Sequence, residues 1–172
     1  LPPTTLVLGG ARSGKSAYAE RLTRGFRSRV YVATAEALDD EMAARIRRHR
    51  KRRGRGWRTV EEPLDIAAVI REHAAPGRPL VVDCLTLWLS NLIGRERDAE
   101  GEIRRLIETL AASGGPVVLV SNELGLGVVP ADGLARAFVD AHGRMNQRLA
   151  KTARRVVFLA AGVPVVLKGR SR

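Results

Sequence analysis

The strongest structural signal in the chain is Leu6-Val7-Leu8 followed by Gly9-Gly10-Ala11-Arg12-Ser13-Gly14-Lys15-Ser16 and then Ala17-Tyr18-Ala19-Glu20-Arg21-Leu22. A short apolar run leads through a glycine-rich turn into a helical sequence. Residues 9–16 fit G-x-x-x-x-G-K-[ST], the phosphate-binding loop or P-loop. Glycines let the backbone curl until successive N–H groups point at one anion. Those donors open a helix, where the dipole favours negative charge. Lys15 has the length to reach β- and γ-phosphates, and the Ser16 hydroxyl is a Mg²⁺ ligand type.

Outward from this loop, strands and helices alternate. Thr4–Leu8 reads as the first strand and Lys15–Thr23 as the first helix. Arg29–Ala33 is β-branched and apolar, a second strand, with Thr34-Ala35-Glu36 as a turn at its carboxyl end. Asp39–Arg53 reads as a helix with acids in its first turn and bases in its last, matching the macrodipole. Trp57–Glu62 fits a short strand, Leu64–His73 an amphipathic helix with Ile66, Val69 and Ile70 on one face, and Pro79–Cys84 a buried strand. Thr86–Ile93 reads as a helix and Gly94–Gly101 as an exposed loop; Ile103, Leu106, Ile107 and Leu110 then mark another helix. Val117–Val120 is a buried strand, Ser121–Asp132 a loop, and Leu134, Phe138, Ala141, Met145 and Leu149 a long helical stripe. Val156–Ala160 and Val163–Leu167 read as a closing hairpin around Ala161-Gly162. Strands apolar on both faces imply a mostly parallel α/β sheet with helices on both sides and a C-terminal antiparallel hairpin. No repeat or linker divides the chain, so residues 1–172 are read as one nucleotide-binding domain. Ligands in such sheets sit at the strands' carboxyl ends. The P-loop, Thr34–Glu36, Asp83 and Asn122-Glu123 all follow strands there.

Composition narrows the function classes. The chain has 172 residues, 45% of them apolar, enough for one sizeable core. No apolar run approaches the length of about 20 residues that a membrane span needs. Leu1-Pro2-Pro3 lacks the basic and apolar regions of a signal peptide, and Cys84 has no intrachain partner, so a cytoplasmic location is expected. The net charge of +12 suits anionic partners, nucleotides among them. With only 4% aromatic residues the chain does not resemble a single-strand stacking platform, and charge alone does not imply nucleic acid.

Several residues carry chemistry. Asp83 ends the apolar run Leu80-Val81-Val82, where a carboxylate can hold Mg²⁺ directly or through water; the P-loop upstream favours this role over the alternative of capping the next helix. Arg45 to Arg58 holds nine Lys or Arg and one His. That run fits a solvated helix or a nucleic-acid patch. It also places His49 among arginines, where like charge disfavours imidazolium and leaves a nucleophilic lone pair. Arg50, Lys51, Arg52 and Arg53 could hold phosphates beside it. Glu61 or Glu62 could bind ribose hydroxyls or metal, or pair with the arginines. Trp57 and Trp88 read as packing residues, and His73 and His142 as structural or solvated.

Gly-Gly-Ala-Arg-Ser-Gly-Lys-Ser (9–16), Tyr-Val-Ala-Thr-Ala (31–35), Asp-Asp-Glu-Met-Ala-Ala-Arg-Ile (39–46), His49 with Trp57-Arg58-Thr59, Ser-Asn-Glu-Leu-Gly-Leu-Gly-Val-Val-Pro (121–130) and Gly-Arg-Met-Asn-Gln-Arg-Leu (143–149) closely resemble one family. It is the bifunctional adenosylcobinamide kinase / adenosylcobinamide-phosphate guanylyltransferase of cobalamin biosynthesis. The resemblance implies a RecA-like P-loop NTPase fold and two reactions at the aminopropanol end of cobinamide. A nucleoside triphosphate first phosphorylates the hydroxyl. GTP then donates GMP to that phosphate through a guanylylated histidine, which aligns with His49. The resemblance also implies nucleotide contacts at Gly9, Gly10, Ala11, Arg12, Ser13, Gly14, Lys15, Ser16, Thr34, Ala35, Glu36, Arg50, Lys51, Arg52, Arg53, Glu61 and Asp83. Lys15 and His49 would be catalytic, and Ser16 and Asp83 would hold Mg²⁺. GTP is the implied nucleotide, with ATP possible in the kinase step. The partners are a corrinoid substrate and further copies in a homotrimer, with neither nucleic acid nor membrane. Relatives can carry Glu where this chain has Asp83, one methylene shorter, and some have two adjacent histidines where this chain has Arg48-His49.

Overall fold

The computed structural model describes residues 1–36, 47, 54 and 56–170. The helix expected over Asp39–Arg53 therefore lies outside the described residues, apart from Arg47, which is helical. The described elements run β1 (Thr4–Gly9), α1 (Lys15–Leu22), β2 (Arg29–Ala33), β3 (Trp57–Glu61), α2 (Ile66–His73), β4 (Leu80–Asp83), α3 (Leu85–Gly94), α4 (Ala99–Ala111), β5 (Val117–Val120), α5 (Gly133–Thr152), β6 (Arg155–Ala160) and β7 (Val163–Lys168).

The strands form one sheet in the order β3-β2-β4-β5-β1-β6-β7. Every pairing is parallel except the last, where β6 and β7 close an antiparallel hairpin. Its tip residues, Ala161 and Gly162, both have positive φ (49° and 81°), the backbone that a two-residue hairpin turn requires.

Alternation along the strands feeds two apolar layers. Leu6, Leu8, Val30, Val32, Leu80, Val82, Val117 and Leu119 meet α2, α3, α4 and α5 on one face. Val7, Tyr31, Val81, Val118, Val120, Val157 and Leu159 meet Tyr18 and Ala19 of α1 on the other. The central strands are buried on both faces, as the continuous apolar runs require. Each such Val or Leu contributes about 1.5–3 kcal/mol by leaving water. Trp88 is fully packed and spends its indole N–H on Leu64 O at 2.7 Å.

Element ends differ from the periodic pattern where a side chain intervenes. The pattern predicts a helix from Leu64, but α2 starts at Ile66. Glu62 Oε1 accepts the N–H groups of Leu64 and Asp65 at 2.8 Å each, and Asp65 Oδ1 caps Ala68 N at 3.0 Å. The predicted loop over Gly94–Gly101 is shortened at both ends: α3 runs through Gly94, and α4 starts at Ala99 because Asp98 caps Gly101 N at 3.0 Å.

Candidate nucleotide-binding site

The P-loop joins the end of β1 to the start of α1. Gly9 pairs with Leu159 of β6, and a Cβ there would lie 2.5 Å from Leu159 O, so only glycine fits. Arg12 and Gly14 take left-handed backbone (φ 56° and 93°) and turn the chain into the helix. Gly14 is the N-cap and offers no side-chain acceptor, and the first turn of α1 carries no acid. The opening N–H groups thus lack a capping side chain, and the local field favours an anion. Lys15 is buried, with Nζ donating to Gly10 O at 2.6 Å, so the ammonium lies against the loop it would serve. Ser16, half-buried, follows it on α1.

The loop is braced from two sides that the motif does not specify. The hairpin tip reaches over it, with Gly162 N donating to Ser13 O at 3.1 Å. From the loop after β5, Glu123 N donates to Gly9 O at 3.0 Å.

Asp83 ends β4, and the sheet order puts β5 between it and the P-loop strand. Two strand spacings are roughly 10 Å. Asp83 Oδ2 accepts from Tyr31 OH at 2.6 Å, which fixes the carboxylate's rotamer. Ser16 and Asp83 are hard oxygen donors. Among the described residues no group of three or more His, Cys, Asp or Glu gathers to form a metal cage. This sparse donor set fits an ion that keeps several waters and takes ligands from phosphates, as Mg²⁺ does.

The remaining sequence candidates spread along the carboxyl edge. Thr34 is fully buried and its polar groups are spent internally. Its hydroxyl donates to Cys84 O at 2.7 Å and accepts from Cys84 N at 2.8 Å, while its carbonyl accepts from Asn91 Nδ2 at 2.9 Å. Thr34 thus locks β2 to the β4–α3 junction, leaving Ala35 and Glu36 partly exposed beyond it. Glu36 pairs with Arg95 at 2.6 Å. Glu61 ends β3, four strand spacings or roughly 19 Å from β1. It is therefore not beside the P-loop, and Glu62 next to it is the helix-capping acid described above. His49, Arg50, Lys51, Arg52 and Arg53 lie outside the described residues.

Residues 5–167 match the family described as cobinamide kinase / cobinamide phosphate guanyltransferase. The chain belongs to this family. It is 52% identical over 167 residues to the Pseudomonas aeruginosa bifunctional adenosylcobalamin biosynthesis protein CobP, covering 95% of this chain and 96% of that one. It is 40% identical over 178 residues to the Escherichia coli bifunctional adenosylcobalamin biosynthesis protein CobU, covering 95% and 98%. In fold it is similar to the RadB recombinase, with a TM-score of 0.58 at 15% identity, over 99% of this chain and 83% of that one. The mostly parallel sheet of this cobinamide kinase family member is thus of the P-loop NTPase type.

Two other titratable groups of this family member lie behind the strand ends. Burial pushes the Cys84 thiol up to about 11, with the neighbouring Asp83 charge adding to it, so it stays protonated and unreactive at neutral pH. His142, buried on α5, has Nε2 3.0 Å from Thr86 Oγ1 and 3.3 Å from Ser121 Oγ. Ser121 also donates to Asn146 Oδ1 at 2.8 Å, and Asn146 Nδ2 donates to Asn122 O at 3.0 Å. This network ties α5 to the end of β5. Burial holds His142 below its ordinary value of 6.5, partly opposed by the charge of Glu123. The unfolded chain therefore takes up this proton first as pH falls. The stability linked to His142 is intact above pH 6.5 and declines below it, by at most about 1.4 kcal/mol per pH unit. Thermal melts from pH 7.5 to 5.5 are expected to show a falling Tm that is flatter in His142→Gln; an equal slope in both would contradict this linkage. Asp65 does not interfere in that window. Burial raises its carboxyl, but the Ala68 amide and Arg105 outweigh this and hold it below 3.8.

Proposed function

We propose that this protein acts in cobalamin biosynthesis by catalysing two successive transfers on adenosylcobinamide. In the first, the aminopropanol hydroxyl attacks the γ-phosphorus of GTP or ATP. In the second, His49 attacks the α-phosphorus of GTP, pyrophosphate leaves, and adenosylcobinamide phosphate takes GMP from the histidine to give adenosylcobinamide-GDP. The observation that carries this reading is the family match along residues 5–167, joined to an intact phosphate cradle.

The residues suit both steps. The α1 N–H groups and Lys15 can hold the γ-phosphate for transfer in one reaction and the departing pyrophosphate in the other. Phosphate oxygens would take the Lys15 ammonium from Gly10 O. Ser16 and Asp83 would hold Mg²⁺, which when bound offsets phosphate charge. A covalent histidine divides the second transfer into two displacements, so one nucleotide crevice serves two acceptors. Like charge from the neighbouring arginines would disfavour imidazolium at His49 and leave its lone pair available.

Further parts of the reading are a single domain, a cytoplasmic location and a homotrimer. Among the described residues no helix is long and apolar enough to cross a membrane. Exposed Leu126, Val128, Val129 and Leu134 near the crevice, and Val163, Val165 and Leu167 on edge strand β7, are apolar surface available for subunit contacts.

Incubation with GTP, Mg²⁺ and adenosylcobinamide, with product masses measured over time, tests the function. Adenosylcobinamide phosphate should appear first and adenosylcobinamide-GDP second. The phosphate alone would mark a kinase without the transferase step. Neither product, with hydrolysis stimulated by polynucleotide, would overturn the reading.

A further inference from the structure

We propose that Glu123 is the general base of the kinase step, taking the proton from the acceptor hydroxyl. This rests on the function proposed above and adds a residue to it.

Placement comes first. Val120, the last residue of β5, pairs with Val7 of β1 on one side and Asp83 of β4 on the other. The chain leaving β5 therefore emerges between the P-loop and Asp83. Glu123 N donates to Gly9 O at 3.0 Å, which puts this acid at the first residue of the phosphate cradle. Asp83 is one strand spacing farther away and is bonded to Tyr31.

The backbone here is held rigidly. Ser121 N donates to Val7 O at 3.0 Å, Asn122 N donates to Thr86 Oγ1 at 3.0 Å, and Asn122 O accepts from Asn146 Nδ2 at 3.0 Å. Glu123 Oε1 accepts from Gly125 N at 2.7 Å, which orients the carboxylate, and the side chain is partly open to solvent. A catalytic group needs this kind of support from the residues behind it.

The chemistry separates the two reactions. An alcohol attacking the γ-phosphorus must lose its proton. As the new O–P bond forms, the carboxylate takes that proton. The bond between the γ-phosphorus and the bridging oxygen breaks, and its electron pair leaves with the nucleoside diphosphate. The proton then passes to water. In guanylyl transfer the nucleophiles are a neutral imidazole and a phosphate, and neither has a hydroxyl proton to lose. A base at Glu123 should therefore matter to the first reaction and not to the second.

Glu123→Gln tests this in the full chain. Glutamine keeps the acceptor for Gly125 N–H and the backbone bond to Gly9. The expected result is a kinase kcat about 10²–10³-fold lower, with KM changed less than about threefold. The limb of the pH–rate profile that reports a deprotonated base should disappear. Acid-labile GMP labelling of the protein from labelled GTP should stay within about threefold of the wild-type rate, which also shows that the variant is folded. Unchanged kinase turnover, or a parallel loss of GMP labelling, would overturn the assignment. If the wild-type protein itself forms neither product, the function reading fails instead, so the two failures are distinguishable.

Discussion

Lys15→Ala is expected to lower both the phosphorylation of adenosylcobinamide and the guanylylation of the protein by about 10²–10³-fold. The ammonium is the one side-chain cation inside the cradle sequence that is buried; Arg12 is exposed. It sits where a backbone carbonyl already holds it against the loop, at 2.6 Å from Gly10 O. Its charge adds to the N–H groups of an α1 terminus without a capping side chain. On the proposed reading that charge would meet the transferring group in phosphorylation and the departing pyrophosphate in guanylylation. One deletion should therefore damage two chemically different steps. Lys15→Arg should not rescue them, because a planar fork does not replace a compact ammonium in a tight loop. Rates of the two steps measured on one preparation check this, with circular dichroism confirming the fold. Full retention of either activity would contradict a shared cradle.

His49→Ala should act on one step alone. If the imidazole is the nucleophile, its removal deletes the covalent intermediate. The GMP adduct should then vanish and guanylyl transfer should fall on the order of 10⁴-fold or more. Phosphorylation uses the acceptor's own hydroxyl and should fall less than about tenfold. Labelling with GTP carrying radioactive α-phosphate, followed by acid and alkaline treatment, reads the adduct directly, because a phosphoramidate is acid-labile and alkali-stable. A variant that still forms the adduct removes His49 from the role. With Glu123→Gln, this pair of substitutions should dissect the reactions in opposite directions: one loses the kinase and keeps labelling, and the other does the reverse.

Much of the architecture was legible from periodicity. Arg29–Ala33 coincides with β2, and Val117–Val120 with β5, because continuous β-branched runs bounded by turns have few alternative structures. The hairpin around Ala161-Gly162 was legible for the same reason. Boundaries were less so where one side chain terminates a helix, as Asp65 and Asp98 do, since capping is a local hydrogen bond that apolar spacing does not report. Within the site, the P-loop was legible because each of its constraints is local. Thr34 and Glu61 could be placed at strand ends but not in space. Thr34 turns inward to Cys84, and Glu61 sits at the far end of the carboxyl edge.

Glu123 marks the division most clearly. The sequence placed it after a strand, in the 121–130 stretch that carries the resemblance, but assigned it no role. Its proximity to Gly9 depends on β5 inserting between β1 and β4, and β1 and β5 are more than 100 residues apart. The bracing of the P-loop by Gly162 has the same origin, since β6 pairs with β1 from the distant end of the chain. Turn chemistry, apolar periodicity and the phosphate cradle are written in neighbouring residues, because their energetics are settled within a few peptide units. Strand order, and with it the set of side chains facing one phosphate, is settled by which apolar faces bury each other. That choice is made by the packed sheet as a whole.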